Sequence, residues 1–190
     1  MSIQFIEGGV TAAKGFKAAS AAAGIKKSGK LDMALVYSET PCRSAGTFTT
    51  NRVQAAPVKW DRNQVYSGDP AQAIVINSGV ANACTGEEGM GYCADTAEAA
   101  AKILGIPAAS VLVASTGVIG RQLPMDKITG GIEMMAPKLG GTREDGASAA
   151  TAIMTTDTTK KEVAVQFELG GTTVTIGGMC KGSGMIHPNM

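Results

Sequence analysis

The last ten residues, Lys181-Gly182-Ser183-Gly184-Met185-Ile186-His187-Pro188-Asn189-Met190, constrain the fold more than any other stretch. Glycine gives the backbone freedom to bend sharply, Pro188 fixes φ, and Met185 and Ile186 between them want burial. A run of this kind reads as strand and tight turn packed inside something, whereas free tails are polar and loosely held. The chain therefore looks cut. Its 190 residues suffice for one domain over residues 1–190 with a sizeable core.

Composition narrows the partners. Lys and Arg number 17 against 16 Asp and Glu, so no excess charge draws the chain to nucleic acid or to an anionic membrane. Aromatic residues make up 4%, too few for base-stacking platforms. Cys42, Cys84, Cys93 and Cys180 form no CxxC pair, and the one histidine, His187, is not spaced from any of them as a zinc ligand would be. No metal site is expected, and the thiols read as reduced and buried. The N-terminus has neither a basic n-region nor an apolar h-region, and no apolar run approaches membrane-spanning length. The expectation is a cytoplasmic protein.

The pattern along the chain mixes strands and helices. Residues 32–37, 73–76 and 111–114 are short β-leaning runs, and Thr- and Phe-rich residues 46–53 read as another, with a turn at Ser38-Glu39-Thr40-Pro41. Apolar residues at helical spacing from Met90 to Leu104 end at Gly105 and Pro107. A second helical pattern runs from Pro124 to Leu139, and a third covers residues 143–153. Val163, Val165 and Phe167 alternate with more polar neighbours, and Val174 and Ile176 resume the period beyond Gly170-Gly171, which predicts a hairpin. Runs of small residues such as Ala18 to Ala23 suit close-packed layers. One α/β unit follows.

Six blocks, in order along nearly the whole chain, carry a resemblance. They are Gly8 to Phe16, Ala45 to Arg52 with Ala56-Pro57-Val58, Asn77 to Gly86, Ser115 to Gly120, Ala152 to Thr158, and the closing Lys181 to Met190. Together they resemble the bifunctional ornithine acetyltransferase/N-acetylglutamate synthase family of arginine biosynthesis, also called glutamate N-acetyltransferase. In that family the closing motif is followed by Ala-Thr, the precursor cleaves itself between those two residues, and the freed Thr becomes the nucleophile of a second chain. The resemblance implies that this chain is the α subunit, that Pro188, Asn189 and Met190 lie in the cleavage region, and that the fold is a layered α-β-β-α sandwich completed by a β chain. It implies an α2β2 heterotetramer acting on N-acetylornithine and glutamate, with no bound cofactor and with acetyl-CoA admitted as a second acetyl donor.

An N-terminal Thr needs no histidine, because its own α-amine can take the hydroxyl proton. Acyl transfer passes through a tetrahedral oxyanion that needs preorganised donors. The family's oxyanion pair maps onto Thr116 and Gly117, and its substrate-contacting Thr and Lys map onto Thr155 and Lys181. Read without the resemblance, Ser115-Thr116-Gly117 is an ordinary turn and Lys181 a solvated turn residue. A phosphate loop is excluded, since no GxxxxGK[ST] occurs. His187 falls at a position that varies in the family. Asn77, Asn82 and Asp157 carry no assigned role, since turn chemistry accounts for them locally. Two other readings stay open: a related self-processing aminopeptidase or amidohydrolase, and a noncatalytic assembly subunit.

Overall fold

The computed structural model describes residues 2–183 and 189–190, so Pro188 and His187 lie outside the described residues. Two sheets organise the chain. The larger contains β2 (Phe16–Ala21), β3 (Met33–Cys42), β4 (Ala71–Val80) and β5 (Val111–Val118) in that spatial order, antiparallel except for the parallel β4–β5 pair. The smaller is β1 (Gln4–Ile6), β6 (Lys161–Leu169) and β7 (Thr172–Cys180), with β6 central and all pairs antiparallel. Four helices accompany them: α1 (Ala56–Ser67), α2 (Gly86–Leu104), α3 (Met125–Met135) and α4 (Arg143–Ala152).

Successive strand residues point to opposite faces, and that alternation sets the layers. Met33, Leu35, Ala73, Val75 and Val111 face α2 and α3 and share a core with Ala97, Ala100, Ile128, Ile132 and Met135. Leu35, Ile128 and Ile132 are almost wholly buried, each contributing ~1.5–3 kcal/mol. On the other face, Ala18 and Ala34 meet Ala149, Ala152 and Ile153 of α4 and its C-cap, with Ile76 and Met179 packed alongside. Alanine on both sides allows this close approach of helix to sheet. The order is thus helices, larger sheet, then α4 and the smaller sheet, the layered α/β class that the sequence implies.

Most elements lie where the periodicities put them, and the differences have local causes. Residues 46–53 form no strand. Their backbone polar groups go to side chains instead: Asn51 Oδ1 accepts from Val53 N at 2.9 Å, and Gln54 Nε2 donates to the carbonyls of Thr49 (3.2 Å) and Asn51 (2.9 Å). Ser38 to Pro41 is no chain reversal; it belongs to β3, with a register break between Tyr37 and Cys42 where the Ser38 hydroxyl donates to Thr40 O at 2.7 Å. The helix expected from Pro124 to Leu139 stops at Met135 and tightens into a 3-10 turn at Ala136–Lys138, because Pro137 has no N–H to continue it. The Gly170-Gly171 hairpin is present, both glycines having positive φ (58° and 79°), as its two-residue turn demands. The Ala-rich segment from Phe16 is strand β2, and α1 and β1 are two elements that the sequence periodicities do not predict.

Candidate active site between the two sheets

Strand β5 carries the Ser115-Thr116-Gly117 block, and its alternation decides which way it faces. Val111 and Val113 point to the helices, whereas Ala114 and Thr116 line an open cavity of about 410 Å³. The cavity's floor is the second face of the larger sheet, with Val36, Ile74 and Ile76, and its opposite wall is the end of β7, from Gly178 to Cys180, with Lys181 just beyond it. Thr116 and Lys181, predicted from distant parts of the sequence, therefore line one apolar cavity. Gly117 is exposed next to Thr116.

The backbone at Gly117 is a close-contact point. Its φ is +137°, and a Cβ there would sit 2.3 Å from the carbonyl carbon of Gly79 and 2.5 Å from its oxygen. Only glycine fits. Here β4 and β5 slip in register, Val80 pairing with both Thr116 and Val118. The irregularity is braced by side chains: Ser115 Oγ donates to Asn77 Oδ1 at 2.6 Å, and Asn77 Nδ2 donates to Val80 O at 2.9 Å. Ser78 Oγ donates to Ala152 O at 2.5 Å, tying β4 to the end of α4. The half-buried Lys26 ammonium donates to Leu31 O (2.8 Å) and Met154 O (2.7 Å), capping carbonyls near that helix end. Burial holds the Lys26 pKa below its ordinary value. The loop bearing Lys26 is gathered by the buried Asp32 carboxylate, which accepts from Ala23 N, Ile25 N and Lys26 N.

Among the described residues β5 is the edge of the larger sheet, and α1 covers that edge. Trp60 Nε1 donates to Val111 O at 3.2 Å, and Asp61 Oδ1 accepts from Val113 N at 2.9 Å. Burial pushes the Asp61 carboxyl up to about 7, only partly opposed by that one N–H donor.

Thr155 does not line the cavity and is exposed, yet it is joined to Lys181 through one side chain. The Asp157 side chain is 2% exposed. Its Oδ1 accepts from Gly182 N (2.6 Å) and Lys161 Nζ (2.9 Å), and its Oδ2 from Lys181 Nζ (3.2 Å) and Thr155 N (3.3 Å). Lys161 foremost, with the Gly182 and Thr155 N–H groups and Lys181, holds the carboxyl well below the usual carboxylate range against the opposing effect of burial. Sequence reasoning saw only turn chemistry in Asp157. The available signal was its place two residues after Thr155, but nothing in the sequence tells which lysine it meets.

In the cleavage region, Asn189 O accepts from Thr50 N (2.8 Å) and Thr50 Oγ1 (3.2 Å), and Met190 is exposed. The cysteines differ from the expectation: only Cys93 is buried, its thiol pushed up to about 12 by burial, while Cys84 and Cys180 are exposed and Cys42 intermediate. Among the described residues no three His, Cys, Asp or Glu side chains cluster as metal ligands, and no helix is long and apolar enough to cross a membrane.

Comparison with known proteins places this geometry. The profile of the ArgJ family matches residues 17–190. The chain is 55% identical over 190 residues to the arginine biosynthesis bifunctional protein ArgJ of Symbiobacterium thermophilum, covering 99% of this chain and 46% of that protein. It is 47% identical over 186 residues to the chloroplastic ArgJ of Oryza sativa subsp. indica, covering 97% and 40%. It thus spans about half the length, or less, of the curated relatives it matches. Two crystal structures superpose closely: ArgJ from Bacillus halodurans (TM-score 0.94, 43% identity, 99% of this chain and 97% of that one) and ornithine acetyltransferase complexed with ornithine from Mycobacterium tuberculosis (TM-score 0.93, 45% identity, 99% of each). Profile, identity along the whole chain and superposition agree, and the chain belongs to the ArgJ family.

Proposed function

We propose that this chain is the α subunit of a glutamate N-acetyltransferase, which moves acetyl from N-acetylornithine to glutamate on a threonine supplied by a partner chain. The observation that carries the reading is the inter-sheet cavity that Thr116 and Lys181 both line. The relatives' extra length supports the partner: curated ArgJ proteins are about twice as long, whereas the solved chains match this one nearly end to end.

In this mechanism the partner's N-terminal Thr Oγ attacks the acetyl carbonyl of N-acetylornithine, and its α-amine takes the hydroxyl proton. The carbonyl oxygen becomes an oxyanion, met by the Thr116 hydroxyl and the Gly117 N–H; each such donor lowers the barrier by ~3 kcal/mol. Collapse breaks the C–N bond, the proton passes to the departing amine, and ornithine leaves an acetyl ester. The glutamate amine then attacks that ester by the reverse sequence, with Lys181 and Thr155 holding substrate. No cofactor is needed, and acetyl-CoA serves the same site as a second donor. The precursor would use the same oxyanion donors to cleave itself just beyond Met190, in the cytoplasm or, for plant relatives, the plastid.

A partner also answers for the smaller sheet. Phe5, Val165 and Ile176 form one row across β1, β6 and β7, with Val163 and Leu169 on the same face. Phe5 is 76% exposed, Ile176 54% and Val163 50%. A contiguous apolar sheet face of this kind marks a protein interface, and we assign it to the α2β2 assembly.

The test is the full-length gene, expressed and assayed with acetyl-labelled N-acetylornithine. The reading expects two chains, the second beginning with Thr, and label appearing in N-acetylglutamate. In the Thr116→Ala variant both processing and transfer should fall by about 100-fold or more. Label released only as acetate would instead indicate a hydrolase, and an inert, unprocessed protein an assembly subunit; wild-type rates in Thr116→Ala would overturn the oxyanion assignment.

A further inference from the structure

The structure assigns Asp157 the part of a positioning residue that sets Lys181 and the Thr155 peptide in one fixed relation at the edge of the inter-sheet cavity. This inference rests on the transferase reading proposed above, in which Lys181 and Thr155 contact substrate. Asp157 itself does not line the cavity.

The geometry is that of a shared anchor. A lysine side chain is long and rotamer-rich, and in water it would lose that freedom each time substrate bound. Here the ammonium of Lys181 is held beforehand by Asp157 Oδ2 at 3.2 Å and by Gly182 O at 3.1 Å. The same carboxylate takes the N–H of Thr155 and, through its other oxygen, the N–H of Gly182, so it joins the segment after α4 to the segment after β7. Gly182 is pressed against it: a Cβ at that position would lie 2.6 Å from Asp157 Oδ1. A carboxylate with 2% of its side chain exposed is tolerable only because two ammonium groups and two peptide N–H groups satisfy it.

Charge is equally specific. Lys161 and Lys181 both approach Asp157, at 2.9 and 3.2 Å, which leaves one positive charge uncompensated in the cluster. That suits the carboxylate end of an amino-acid substrate. Removing the Asp157 charge would leave two ammonium groups side by side with no negative charge between them, and Lys181 would swing away. The loss falls on substrate binding, hence on KM, because the Lys181 contact exists in ground and transition states alike.

The experiment uses the full-length processed enzyme with wild type, Asp157→Asn, Lys181→Met, Lys161→Met and the Asp157→Asn/Lys181→Met double variant, each checked by thermal melt and assayed for acetyl transfer from N-acetylornithine. Asp157→Asn keeps side-chain size and an acceptor for Gly182 N, and is expected to raise KM for N-acetylornithine about tenfold or more with kcat within about threefold. Lys161→Met should change KM by less than about threefold, since Lys181 keeps its anchor. In the double variant the KM increase should fall well short of the product of the two single-variant increases, because Asp157→Asn acts mainly through Lys181 and only the Thr155 share remains. If Asp157→Asn leaves KM unchanged while Lys181→Met raises it, or if the two effects simply multiply, the assignment is overturned. If Asp157→Asn fails to fold, the Lys161→Met and Lys181→Met enzymes decide: equal KM increases for both would refute selective anchoring of Lys181. A wild-type enzyme without transferase activity would instead remove the functional reading beneath it.

Discussion

Replacing Asp61 with Asn should stabilise the protein above neutral pH and do almost nothing in mild acid. The carboxyl titrates near 3.8 when exposed to water and at about 7 in the fold, because burial against β5 disfavours its charged form. Between these values the folded chain keeps a proton that the unfolded chain has released, so stability drops as pH rises, and the loss is complete above about 7. At 1.36 kcal/mol per pH unit that window amounts to ~4 kcal/mol. Asp61 retains some exposure, and water around it reduces the expected figure to ~2 kcal/mol. Asn offers Val113 N the same Oδ1 acceptor without a charge to desolvate. Melts of the full-length enzyme and its Asp61→Asn variant from pH 4.5 to 8.5 should diverge up to about pH 7 and then run parallel, with the variant roughly 4–8 °C higher at the alkaline end, taking ~2–4 °C per kcal/mol. Curves parallel over the whole range, or a variant less stable at pH 8, would refute burial as the source of the Asp61 shift.

Gly117→Ala should abolish the proposed transfer and cost ~3 kcal/mol or more, since its Cβ would overlap the Gly79 backbone and its φ of +137° disfavours side chains; a variant with normal activity and Tm would contradict the close contact. Ile176→Asp, on the exposed face of the smaller sheet, should disrupt the proposed α2β2 assembly on gel filtration while far-UV circular dichroism stays unchanged, and an intact tetramer would remove that face from the interface. Cys93 should resist iodoacetamide at pH 8 until the chain unfolds, its thiol being buried and titrating at about 12, whereas Cys84 should label in the native state; mass spectrometry of the labelled peptides reads both.

The periodic elements were legible because their signals are local. The β4 and β5 runs, α2 with its Gly105 stop and the Gly170-Gly171 hairpin each carry their own punctuation. Helix α1 was missed because its polar surface shows little apolar stripe, although Pro57 at its start and Gly68 in the left-handed cap at its end were readable marks. Strand β2 was hidden by alanine, a helix former placed in a sheet so that α4 can approach. At the site, the resemblance pointed to Thr116, Gly117, Thr155 and Lys181 one by one. What joins them, the cavity between sheets and the Asp157 anchor, depends on which distant segments meet, and residues 152–157 reach residues 181–182 only through the tertiary fold.

The Gly79–Gly117 contact carries a consequence for anyone who would transplant this chemistry. The shape of the Thr116 turn is braced by the neighbouring strand: Asn77 accepts from the Ser115 hydroxyl, the Gly79 carbonyl occupies the space a side chain at 117 would need, and Ser78 ties that strand to the end of α4. A scaffold given only the Ser-Thr-Gly triplet would inherit the letters without the bend, so residues 77–79 and 115–117 have to travel as one cassette.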